Sequence, residues 1–137
     1  MGRRALKITA DTNLLVRLFV DDDVRQRRLA EQALASAETV AITMSALCEL
    51  AWVLTRSYRV RDADVAAAIR RLIDVANIVV DRPAVEAGLA LLDRGGDFAD
   101  GVIAHQGYEL GGEIFVSFDK KAVGLVEEVG EAALLLV

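Results

Sequence analysis

The chain has 137 residues, 54% of them hydrophobic and 27% charged, and a net charge of −5. That is enough for one domain with a full core, too few for two ordinary domains, and too apolar for a disordered chain. A single cysteine, Cys48, excludes an internal disulfide and, with His105 as the only histidine, a cysteine–histidine zinc cluster.

The start, MGRRALKITAD, carries a basic pair but no apolar signal region, because Lys7 and Asp11 interrupt it. Leu6 also breaks the myristoylation pattern, and no apolar run is long enough to cross a bilayer. A cytoplasmic protein without a membrane partner is expected.

Short apolar segments at residues 7–10, 40–43, 77–80, 113–118 and 133–137 read as strands. The segments between them carry helical periodicity. Residues 13–20 place Leu14, Leu15, Leu18 and Phe19 on one face. Residues 24–36 turn Leu29, Ala33 and Leu34 inward and Arg25, Arg27 and Arg28 outward. Residues 45–56 are nearly all apolar. Residues 62–75 start at Asp62, a good capping residue, and repeat Val65, Ile69 and Leu72. Pro83 opens a helix reaching about Arg94, which Gly95-Gly96 ends. Asp97 can cap a helix over 98–110, which Gly111-Gly112 ends. Strands alternating with helices predict one α/β domain over residues 1–137. Its architecture is a three-layer α/β/α sandwich with a mainly parallel central sheet of about five strands. Right-handed crossovers put the strand-to-helix turns on one edge of that sheet, where ligands of α/β folds bind.

Four acids fall at or near that edge. Asp11 and Asp119 directly follow strands, Glu49 sits early in the helix after the second strand, and Asp100 lies about three residues past the cap Asp97. Glu49 is nearly alone among apolar residues in SALCELAWVL, and a charge there calls for a partner or a metal. Each acid also has a plain alternative: Glu49 on the exposed side of its helix, the aspartates as helix-end residues. Together they suit divalent metal ions. Thr12, Asn13 and Ser117 are placed to support ligands through hydrogen bonds, or to serve as ordinary turn and cap residues. His105, five residues beyond Asp100, points around the helix from it and reads as a packing or surface residue. Any general base is then a carboxylate or a metal-bound hydroxide. Residues 1–71 carry 12 Lys/Arg and 9 Asp/Glu, and residues 72–137 carry 4 and 12. The acidic total argues against bulk electrostatic binding of nucleic acid. Arg56, Arg59 and Arg61 around Tyr58 form the clearest local basic patch for phosphates.

The stretches ADTNLLVRLFVDDD, SALCELAWVL, DFADGVIAHQGYELGG and VSFDKKA, in this order, resemble the PIN-domain ribonucleases, most closely the VapC-type toxins of toxin–antitoxin pairs. The resemblance spans nearly the whole chain. It puts Asp11, Glu49, Asp100 and Asp119 on the family's four acidic positions, Asp97 on an acid often found ahead of the third, and Ser117 on its small hydroxyl position. It implies a Mg²⁺- or Mn²⁺-dependent endoribonuclease cutting RNA by metal-activated water. Asp11, Asp100 and Asp119 would be the main ligands, with Glu49 binding metal or orienting its water. It also implies a homodimer neutralised by a small antitoxin.

Other readings compete. A phosphotransfer receiver would want paired acids after the first strand, where only Asp11 stands, although Asp81 does follow the third. A haloacid-dehalogenase-like phosphatase would want an acid where Asn13 is. A PIN nuclease of RNA maturation or DNA cleavage, or an inactive PIN scaffold, also carries these motifs.

Overall fold

The computed structural model describes residues 5–137, so the basic pair at positions 3 and 4 lies outside the described residues. Helix starts in this chain are written by capping side chains. Asp11 caps α1 (Thr12–Phe19), Asp23 caps α2 (Val24–Ser36), Thr43 caps α3 (Met44–Arg56), Asp81 caps α5 (Arg82–Leu92), Asp97 caps α6 (Phe98–Glu109) and Asp119 caps α7 (Lys120–Glu128). In each case a side-chain oxygen accepts from a first-turn N–H that has no partner within the helix. The exception is α4 (Asp62–Ile73). Its cap is Arg61, which makes no side-chain capping bond. Asp62, expected as the cap, is instead the first helical residue. There it and Asp64 favour the helix through the positive end of its dipole.

The strands are β1 (Lys7–Thr9), β2 (Thr39–Ala41), β3 (Ile78–Val79), β4 (Phe115–Ser117) and β5 (Ala133–Leu135). All strand pairs are parallel, and the architecture is the expected α/β/α sandwich. The strands hydrogen-bond as two ladders, β1-β2-β3 and β4-β5. In the first, Ile8 pairs with Val40 and Val40 with Ile78; in the second, Val116 pairs with Leu134. With two or three residues each, the strands end earlier than their apolar runs because helix caps take over the flanks, as Thr43 does after β2.

The core lies between the first ladder and helices α1 and α3 to α6. Its fully buried residues include Leu15, Val40, Leu47, Leu50, Val65, Ile69, Val85, Leu89 and Phe98. Val65, Ile69 and Leu72 are buried as their spacing predicts. Helix α2 differs. Ala30 and Leu34, one turn apart, face inward, and Leu29 is 55% exposed. Leu29 lies about 100° around the helix from Ala30 and falls outside the narrow inward stripe that Ala30 and Leu34 define. Asn77, just ahead of β3, donates to the carbonyls of Leu34 (2.8 Å) and Ala37 (3.1 Å) and so ties the end of α2 to the sheet. Helices α5 and α6 pack closely. A Cβ at Gly101 would lie 2.3 Å from the carbonyl oxygen of Ala87, and one at Gly88 would lie 2.6 Å from the Phe98 ring. Gly95 (φ +81°) and Gly111 (φ +101°) take the left-handed conformation that ends α5 and α6.

Candidate active site

A cavity of about 380 Å³ opens where α3, α6 and α7 approach one another. Asp97 and Asp100 of the α6 start reach it from one side, Asp119 at the α7 start from another. The sharp turn after α5 makes this possible. Gly96 N–H donates to the carbonyl of Leu91 at 2.8 Å, and a Cβ at Gly96 would lie 2.5 Å from Leu125 of α7. A side chain at 96 would have to push the Leu125 methyl aside, so glycine eases the close passage of this turn beside α7.

Each acid is held differently. Asp97 Oδ1 accepts from Ala99 N–H at 2.9 Å, and Asp119 Oδ1 accepts from Ala122 N–H at 3.1 Å. Capping occupies one carboxylate oxygen and leaves the other to bind a ligand. Ser117 Oγ accepts from Asp119 N–H at 2.9 Å, the ordinary turn chemistry open to it, and fixes the turn that presents Asp119. Asp100 makes no hydrogen bond or ion pair among the described residues. Burial pushes its carboxyl pKa up, and the charges of Asp97 and Asp119 push the same way. The Cys48 thiol is pushed up to about 11 by burial and by Asp97, so it stays protonated at neutral pH and is no nucleophile.

Asp11 and Glu49 do not line this cavity. Asp11 Oδ1 accepts from Leu14 N–H at 3.0 Å and caps α1. It follows β1, and Asp119 follows β4. The first strand belongs to the β1-β2-β3 ladder and the second to the β4-β5 ladder. Glu49 is exposed on α3, one turn before Trp52 on the same stripe. Thr12 and Asn13 open α1 and make no side-chain hydrogen bond among the described residues. Of the basic patch, only Arg56 lines the cavity. Arg61 pairs with Asp64 at 3.3 Å, and Arg59 takes a left-handed turn conformation (φ 54°). His105 Nε2 lies 3.1 Å from Glu109 Oε1 without hydrogen-bond alignment, outside the cavity, as a packing residue would. Asp81, the acid a receiver domain would phosphorylate, caps α5 through Ala84 N–H at 3.3 Å.

Trp52, Asp62 and Lys121 also line the cavity and were not among the candidate site residues. Trp52 is hidden in an apolar run, Asp62 in a capping signature, and Lys121 in an ordinary helix start. The period of α3 was the available signal for Trp52, since Trp52 and Arg56 are one turn apart.

Oxygen donors alone suit a hard divalent cation such as Mg²⁺ or Mn²⁺. Burial raises Asp100 most, and the like charges of Asp97 and Asp119, which add to that shift, are what such a cation relieves, so the donor set fits in chemistry and in charge. Among the described residues no three acidic, His or Cys side chains close around a single point.

The raised Asp100 pKa gives a stability prediction for the metal-free protein. A raised carboxyl contributes fully below its unfolded value and loses that contribution as pH rises through the folded value. At neutral pH the ionised group therefore costs stability. A first-turn acid alone would be favoured by about 0.3–1 kcal/mol, and the upward shift means that burial and the two neighbours outweigh it. In EDTA at pH 7, Asp100→Asn should melt about 2–4 °C above the parent, the effect of a partly screened charge interaction. Below about pH 4 the two should converge, since 3.8 is the ordinary value. Melting curves at the two pH values check this; a parent that melts higher at pH 7 would contradict it.

A comparison with curated proteins finds no match. The family profile described as PIN domain matches residues 8–126, from β1 through most of α7, and so takes in Asp11, Glu49, Asp97, Asp100 and Asp119. On that match, over most of its length, the chain belongs to the PIN domain family.

Proposed function

We propose that this protein is a divalent-metal-dependent endoribonuclease and acts as the toxin of a toxin–antitoxin pair in the cytoplasm. PIN domains are generally nucleases. The observation that carries the reading is the meeting of Asp97, Asp100 and Asp119 in one cavity, with the pKa of Asp100 raised. Asp100 and Asp119 would hold Mg²⁺ or Mn²⁺ with Asp97 beside them. The roles of Asp11 and Glu49 rest on their family positions. When bound, the cation neutralises charge at the phosphate and lowers the pKa of water.

The residues of the chain do the rest. Arg56 and Lys121 line the same cavity and make no ion pair among the described residues, so their charges are available to phosphates flanking the cut. Capping and the Ser117 bond hold Asp119 still, which keeps its free oxygen aimed without reorganisation. His105 takes no part. The test is incubation with end-labelled RNA. Cleavage in Mg²⁺ or Mn²⁺, stopped by EDTA and leaving 5′-phosphate and 3′-hydroxyl ends, is expected; cleavage unaffected by EDTA would sink the reading.

The homodimer rests on the resemblance. The open face of the β4–β5 ladder, where Ile114, Val116, Phe118, Leu134 and Leu136 are exposed, has the apolar character such an interface uses. The antitoxin is expected to insert an arginine among the acids, because a guanidinium can satisfy carboxylates bidentately. Arginine and metal would then compete. Antitoxin should weaken metal binding, and metal should weaken antitoxin binding by the same factor. Calorimetric titration with and without Mg²⁺ measures this; an antitoxin affinity independent of Mg²⁺ would remove the competition.

A further inference from the structure

Trp52 is the only tryptophan of the chain, and it stands 57% exposed in the wall of the acidic cavity. Its helix had apolar seats to offer: Leu47, Leu50, Ala51 and Leu54 are all buried on the inward face. Trp52 lies on the other side, with Thr55 and Arg56 one turn further along the same wall and Lys121 also lining the cavity. Phe98, the other aromatic residue there, is 1% exposed and belongs to the core. The cavity therefore offers one free aromatic surface, two cations and a group of carboxylates.

We propose that Trp52 is a stacking platform for an unpaired base of the RNA strand, set beside the acids so that the strand is cut next to the stacked nucleotide. The proposal rests on the reading that this cavity takes RNA. An aromatic platform accepts any base by its face, and it can do so only when that base is free of its own stack. Arg56 and Lys121 then take backbone phosphates on either side. Trp52 is here a contact residue that positions the strand.

Because Trp52 is the sole tryptophan, its emission reports on this site alone. The experiment uses the full chain with Ca²⁺ in place of Mg²⁺, titrated with an eight-nucleotide single-stranded RNA and with a blunt duplex of the same sequence. Saturable quenching by the single strand and none by the duplex is expected. Trp52→Ala should bind the single strand about 10- to 100-fold more weakly, and Trp52→Phe, which keeps a ring, should recover most of that loss. In Mg²⁺ the alanine variant should show a raised KM for the single strand with kcat changed much less. If the single strand leaves the emission unchanged, or if Trp52→Ala binds as the parent does, the proposal is overturned. It is also overturned if Trp52 emission shifts with protein concentration alone and RNA has no further effect, since another copy of the chain then covers the ring. Quenching by RNA with no cleavage in Mg²⁺ would support the platform and overturn the nuclease reading, so the two fail separately.

Discussion

Asp100→Asn and Asp119→Asn are each expected to lower RNA cleavage by about 10²–10³-fold, the scale of losing one preorganised group that stabilises a transition state, here through the cation that the carboxylate would hold. Neither change alters side-chain volume, so both variants should fold. Asp100 makes no hydrogen bond among the described residues, and its replacement removes charge alone. Asp119 also caps α7 through Ala122 N–H, but asparagine caps nearly as well, so that loss too should be chemical rather than structural. His105→Ala should leave cleavage unchanged, because the imidazole lies outside the cavity against Glu109. The measurement is initial cleavage rate at saturating Mg²⁺, with circular dichroism to confirm folding. If His105→Ala were as damaging as Asp100→Asn, acid chemistry would be the wrong assignment. Asp11→Asn and Glu49→Gln in the same assay measure what the family positions contribute, since neither side chain lines the cavity.

The second large effect concerns the α5–α6 contact that carries Asp97 and Asp100 to the site. Gly101→Ala should destabilise the fold by about 2 kcal/mol or more, against a helix-propensity gain of about 1 kcal/mol. The new Cβ would stand 2.3 Å from the carbonyl oxygen of Ala87 and 2.9 Å from the Cα of Gly88. Those are backbone atoms of a packed helix and cannot rotate aside, so the helices must separate. Gly107→Ala, later in α6, is the control. Nothing lies within 4 Å of its Cβ, so the propensity term stands alone and the variant should gain about 0.5–1 kcal/mol. In melting temperature this is a loss of about 8 °C or more against a gain of about 2–4 °C. Equal effects at the two glycines would mean that the close approach carries no stability.

What the sequence by itself determined is whatever local chemistry encodes. Caps at Asp11, Asp97 and Asp119, the stops at Gly95 and Gly111, and the burial of Val65, Ile69 and Leu72 were legible because a helix end or a helix face depends on neighbours within a few residues. The layered α/β architecture followed from alternation of strands and helices. Pairings between distant segments were not legible, because nothing local fixes which strand edge meets which. The order of acids along the chain suggested that Asp11, Glu49, Asp100 and Asp119 meet on one sheet edge. Two of the four, Asp100 and Asp119, line the cavity, and Asp97 joins them there. Leu29 and Ala30 show the same limit within a single helix, where one step of phase decides which side chain is inside. Only the packing of α3 against the start of α6 turned Trp52 from one apolar residue among many into the free wall of the site. Its neighbours across the cavity, Asp100 and Lys121, lie 48 and 69 residues further along the chain.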